Sequence, residues 1–190
     1  MGLISMIVGG AIDANRAIKQ NQAKNNDSKN TVTVKGLYSI DVPSFLSPTN
    51  RFGEDASLQY WSRTLDISFQ VIDEPKSEFI EAAKELDKEV TSFGDGKTIL
   101  DKMVMLTIPN MFDMDRTEFD CYTKRNINGL NAITLNAFQP RTFLKDAVYG
   151  SFAFIEGKDT LYQIIILSGG TSISKLADKL EESIKSFMEL

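Results

Sequence analysis

The side chains able to do chemistry are few in kind. The 190-residue chain contains no histidine, which removes the commonest general base, the commonest metal ligand and the physiological pH switch together. Its single cysteine, Cys121, excludes an internal disulfide and a cysteine-based zinc site, and reads as a small core hydrophobe. Asp113-Met114-Asp115 with Glu118 and Asp120 gathers carboxylates. The calcium-loop pattern fails there, because Glu118 stands where the glycine belongs and Lys124 where the final glutamate belongs, so the stretch reads as a solvated acidic loop. Gly94-Asp95-Gly96-Lys97-Thr98 ends like a phosphate-binding loop, yet Thr91 occupies the place of its first glycine and a helix, not a strand, precedes it. Nothing fixes a separation between any two carboxylates, so no general acid/base pair is assignable. The expectation is a protein that is not an enzyme and uses no cofactor or metal.

What remains is apolar chemistry. Met103, Met105, Met111 and Met114, joined by Phe112, are four of the seven methionines in one short stretch. Flexible thioethers fill irregular cores, and they also suit surfaces that accept varied apolar partners. On the second reading Met111, Phe112 and Met114 are the exposed, partner-binding side chains, because they follow Pro109. The other apolar patch, Leu3, Ile4, Met6, Ile7 and Val8, precedes Gly9-Gly10 and a helical stretch over residues 11–18. It is far shorter than the roughly 20 residues that span a bilayer, lacks the marks of a secretory signal, and fails the myristoylation pattern at Met6. Downstream of it, Arg16, Lys19, Lys24, Lys29 and Lys35 give the chain a basic stretch. Three readings stand: a helix docked on its own domain, a helix that binds a partner or lies on a membrane surface, and a processed targeting segment.

The elements that would position these patches are set by periodicity. Asn25-Asn26-Asp27-Ser28 marks a polar linker, so residues 1–30 divide as an N-terminal helix with its linker from a single α+β domain over 31–190. Short extended segments run either side of Gly36, then strands at Ser57 to Ser62 and Leu65 to Val71, the latter alternating apolar and polar. Next comes a helix in which Phe79, Ala83, Leu86, Val90 and Phe93 share a stripe. Thr98 to Ile108 has no clean period and leans to helix in its first half, with a loop from Pro109 to Arg116. Asn128-Gly129 joins two strands, since both turn residues must take φ > 0. Ala147 to Gly157 and Leu161 to Ser168 form a second hairpin whose second arm is apolar on both faces, as in a strand covered on both sides. A closing helix places Ile173, Leu176, Ala177, Leu180, Ile184 and Phe187 on one stripe. The result is a mainly antiparallel sheet with amphipathic helices packed on it, an α/β/α sandwich.

Tyr38-Ser39-Ile40-Asp41-Val42-Pro43, the Ile127-Asn128-Gly129-Leu130-Asn131-Ala132 hairpin and the terminal Ile184-Lys185-Ser186-Phe187 resemble the Mog1/PsbP-like superfamily, over roughly Leu37 to Leu190. Members of that superfamily include a Ran-binding import factor, a photosystem subunit, periplasmic lipoproteins and chaperones of secretion effectors, and what the resemblance implies is binding or assembly. Ser44 to Phe52 lacks the pattern of the chaperone branch, and no lipobox cysteine is present.

Hydrophobic content of 42% and charged content of 25% are ordinary for a globular chain, and the net charge of −5 argues against a nucleic-acid partner. The reading is a non-catalytic protein-binding or chaperone-like module, with the N-terminal helix docking to a partner or a membrane surface. Its alternatives are a small-ligand protein or carboxylate-based enzyme, and a structural subunit that oligomerises through Leu3 to Val8. A reduced single cysteine suits the cytoplasm or the periphery of the inner membrane.

Overall fold

The fold is taken from a computed structural model, which describes residues 17–84, 98–142, 146–169 and 176–190. Residues 17–25 form helix α1. Two strands, β1 (Lys29–Val34) and β2 (Tyr38–Pro43), then pair antiparallel through a turn in which Lys35 and Gly36 both take positive φ. Seven strands build the main sheet: β3 (Ser47–Pro48), β4 (Ala56–Ser62), β5 (Ile67–Pro75), β6 (Glu118–Ile127), β7 (Leu130–Gln139), β8 (Val148–Glu156) and β9 (Thr160–Gly169). Their spatial order is β3-β4-β5-β9-β8-β7-β6, and every pairing is antiparallel. Helices α2 (Lys76–Lys84) and α3 (Ile99–Met111) lie between β5 and β6 in the chain. Helix α4 (Ala177–Lys185) is followed by β10 (Met188–Glu189), which adds to β2 and makes a second, three-stranded sheet.

The apolar run of β9 explains why two layers cover the sheet. Tyr162, Ile164 and Ile166 enter one core, while Leu161 and Ile165 enter the other, as a period of two demands. The first core is closed by β2, through Tyr38, Ile40 and Val42, and by Leu176, Leu180, Ile184 and Phe187 of the closing helix stripe. At its centre the Tyr38 ring meets Phe187 at 5.3 Å and Tyr162 at 5.5 Å. The second core is closed by Phe79 and Ala83 of α2 and by Leu100, Met103, Val104 and Ile108 of α3. The expected antiparallel sandwich is therefore present, with a small sheet sharing the cover on one side.

Four local expectations change. Thr98 to Ile108 is helical almost throughout, and the helix continues through Pro109 to Met111. Proline near the end of a helix forfeits one backbone hydrogen bond without stopping the last turn, and the Phe112 amide still reaches the Ile108 carbonyl at 3.0 Å. The helical reading, which ended at residue 18, extends to residue 25, so Asn25 of the linker signature belongs to α1. Strand β10 carries no periodic signal because it has two residues. Thr98, which ended the phosphate-loop-like run, is the N-cap of α3 in a capping box with Asp101. Leu3 to Val8, the helical reading over 11–16, Leu86, Val90, Phe93, Gly94 to Lys97, Ile173 and the Cys121 side chain lie outside the described residues.

Candidate functional site

The face of the sheet beneath α4 changes character along the strands. Ile127, Ala132, Ala153 and Ile155 are buried under the cover. Further along the same rows stand Thr123 opposite Thr134, and Asn136 opposite Ser151, at the margin of the α4 cover, with Thr134 still buried. The resulting cleft has a volume of about 340 Å³, with hydroxyl and amide groups on its floor and Ala177, Asp178, Leu180 and Glu181 of α4 along one wall. Strand pairing fixes the floor side chains two residues apart on each strand, the spacing of an extended peptide.

One ion pair frames the cleft. Arg125 of β6 donates to Glu181 through both terminal nitrogens, at 2.6 and 3.2 Å, the planar fork matching the carboxylate. Burial pushes the Glu181 carboxyl up, but the Arg125 hydrogen bonds and charge, aided by Lys185, hold it below the usual carboxylate range. Arg125 Nε is buried and has no partner, and so is Ser168 Oγ on the same sheet face, opposite Tyr149. A buried donor without an acceptor costs about 1–3 kcal/mol; both atoms lie beneath the surface, and Ser168 is outside the lining of the cleft. With Arg125 and Glu181 already paired to each other, the arrangement offers recognition of polar groups by shape and hydrogen bonding.

The methionine stretch divides. Met111 is 37% exposed at the end of α3, and Met114 is half-buried against the second core. Phe112 is only 5% exposed, which corrects the expectation that it projects into solvent. It caps α3 in extended conformation, and its ring turns back onto Phe152 at 5.8 Å, over the space that Gly150 leaves by lacking a Cβ. Met103 is fully buried.

Helix α1 touches its own domain. Gln20 and Ala23 are buried while Ile18 is 55% exposed, and Lys179 of α4 pairs with Asp27 at 2.7 Å just beyond the helix. A further polar cluster joins α3 to β6. Asp101, fully buried on the helix, accepts hydrogen bonds from Thr98, from Tyr122 and, at 3.3 Å, from Lys124. Burial raises its carboxyl, but these donors prevail and bring it down to about 2. Among the described residues there is no group of three or more His, Cys, Asp or Glu side chains placed to hold a metal ion, and no helix long and apolar enough to cross a membrane.

The sequence reading missed the cleft. Its signal was present: Thr123 and Arg125, Thr134 and Asn136, and Tyr149 and Ser151 are polar or amphipathic pairs at period two on strands whose other ends are apolar on that face.

A seven-stranded antiparallel sheet, covered on one face by two helices and on the other by a helix and a small sheet, is the Mog1/PsbP-like fold, and this chain has it. It is similar to the crystal structure of the Saccharomyces cerevisiae Ran-binding protein Mog1p, with a TM-score of 0.54 and 14% identity over 85% of this chain and 95% of that one. It is also similar to the solution structure of the cyanobacterial PsbP (CyanoP) from Synechocystis, with a TM-score of 0.52 and 11% identity over 86% of this chain and 92% of that one. No protein-family model matches the sequence, and no curated protein sequence does.

Proposed function

We propose that this chain is a non-catalytic protein-binding module whose sheet-face cleft receives an extended segment of a partner protein. The observation that carries the reading is the cleft floor itself. Period-two hydroxyl and amide side chains on β6, β7 and β8 line it beside α4, with Thr123 exposed and Asn136 and Ser151 half-buried. An extended chain presents alternating carbonyls and amides at matching intervals, which the hydroxyl and amide side chains of the floor can meet by hydrogen bonding. Mog1p, which shares the fold, is described as a Ran-binding protein, which supports protein recognition as a use of this architecture. On the same reading, Leu3, Ile4, Met6, Ile7 and Val8 add a second contact, to the partner or to a membrane surface, and Met111 with Met114 extends the apolar contact at the end of α3. The module works in the cytoplasm in a chaperone-like or assembly role.

The test is affinity capture with the full chain, with S151W, which fills the cleft, and with S151A, which keeps it open. A second arm removes residues 1–16 and leaves the buried Gln20 and Ala23 in place. One protein retained by the full chain and by S151A and lost with S151W is the expected result. Equal retention by S151W, with its fold intact by circular dichroism, refutes the cleft as the binding site. Substrate turnover by the purified protein refutes the non-catalytic reading.

A further inference from the structure

A larger cleft, of about 490 Å³, lies away from the sheet-face site, between α1 and the turn that joins β4 to β5. Its charge is opposite to that of the chain. Lys19 of α1 and Arg63 of the turn line it, no carboxylate among the described residues does, and the protein as a whole carries −5. Arg51 adds a third cation beside it, lying 4.8 Å over the ring of Trp61, which forms part of the wall. Among the described residues none of these three cations forms an ion pair. Phe45, buried Ala23 and buried Leu65 give the cleft an apolar component. Cations with no counter-charge around an apolar floor match a ligand that brings carboxylates together with an apolar side chain.

We propose that this cleft binds an acidic, extended segment of a partner protein, its carboxylates paired with Lys19 and Arg63 and an apolar side chain laid against Trp61 and Leu65. The shape favours a peptide over a bilayer. A helix stands on one side and a turn on the other, so a flat surface meets the rim while a chain reaches the floor. The protein's own residues 1–16 carry one acidic side chain, Asp13, and do not supply an acidic segment. The proposal rests on the reading of the chain as a protein-binding module, but on a different surface from the sheet-face cleft.

Trp61 is the single tryptophan of the chain, so its emission in the full-length protein reports this site directly. The probe is a synthetic peptide of repeated Glu-Leu-Glu-Gly units free of aromatic residues, titrated beside its glutamine-for-glutamate counterpart. The acidic peptide gives a saturable change in Trp61 emission that weakens as salt screens the charges, and the glutamine peptide gives none. Charge reversal in K19E/R63E, at two exposed positions, weakens binding by about tenfold or more, whereas S151W in the other cleft leaves it unchanged. Equal binding of the glutamine peptide, or undiminished binding by a folded K19E/R63E protein, overturns the proposal. A change in emission produced by anionic phospholipid vesicles and not by the peptide overturns it in favour of a membrane. If S151W abolishes partner capture while peptide binding persists, both surfaces are in use. If the peptide fails and S151W still abolishes capture, the module reading stands and this inference falls.

Discussion

Arg125 and Glu181 form a two-pronged pair, Nη1 to Oε1 at 2.6 Å and Nη2 to Oε2 at 3.2 Å, and join the outermost long strand of the main sheet to the closing helix. The pair holds the two walls of the sheet-face cleft at a set distance. Arg125→Lys keeps the charge but loses the fork. Since both side chains are partly exposed, the stability cost is about 1 kcal/mol or less, read as a small shift in denaturant midpoint. Partner capture through the cleft falls with it, because the wall is no longer pinned.

Asp101 makes stability depend on acid. Its carboxyl, held down to about 2 by Tyr122, Thr98 and Lys124, titrates near its usual value of 3.8 in the unfolded chain. A depressed folded-state value means that the stabilisation, roughly 2 kcal/mol, is fully present above the unfolded pKa and is lost as pH falls through the folded one. Urea midpoints measured between about pH 5 and pH 2 decline for the native chain, and Asp101→Asn flattens this part of the decline.

Neighbouring positions at the end of α3 differ sharply. Phe112 is buried against Phe152, so Phe112→Ala costs about 3–5 kcal/mol. Met111 is exposed, and Met111→Ala changes stability by no more than about 0.5 kcal/mol. Thermal unfolding of the two variants checks the contrast.

Asn128 does two tasks in one turn. Its φ is positive, and its side-chain amide donates to the carbonyls of Lys185 and Phe187 at 2.9 and 2.8 Å, closing the end of α4. Asn128→Ala therefore loses both the turn preference and the cap, at about 2 kcal/mol in total. Hydrogen exchange at the last turn of α4 quickens in this variant ahead of exchange in the sheet.

The elements with a strong period were legible in the sequence. The Asn128-Gly129 hairpin, the doubly covered β9 and the stripe of Leu176, Leu180, Ile184 and Phe187 all stand where their patterns put them. Phe112 was not legible, because its burial depends on a glycine in β8 that leaves room for the ring. Helix α3 was legible only in its first half, because Ile99, Met105 and Leu106 pack against the same core as Leu100, Met103, Val104 and Ile108 and blur any single stripe. The sheet-face cleft left a partial signal in the polar pairs at period two on β6, β7 and β8, but which part of that face α4 leaves open is a matter of helix placement. The basic cleft joins Lys19 to Arg63 across the fold, two residues that nothing in the linear chain connects.

The pairing of Phe69 in β5 with Ile166 in β9 sets a timetable for synthesis. On the ribosome β6, β7 and β8 can form as a meander soon after they emerge, but β5 has no neighbour on its inner side until nearly the last strand is made. Until then Phe69 and Val71, both destined for full burial, lie on a strand paired only with β4 and bare on its other edge, the condition in which nascent chains recruit holding factors or aggregate. Completion of the sheet therefore waits for β9, and a chain lacking β9 leaves β3-β4-β5 and β8-β7-β6 as two halves with no strand between them.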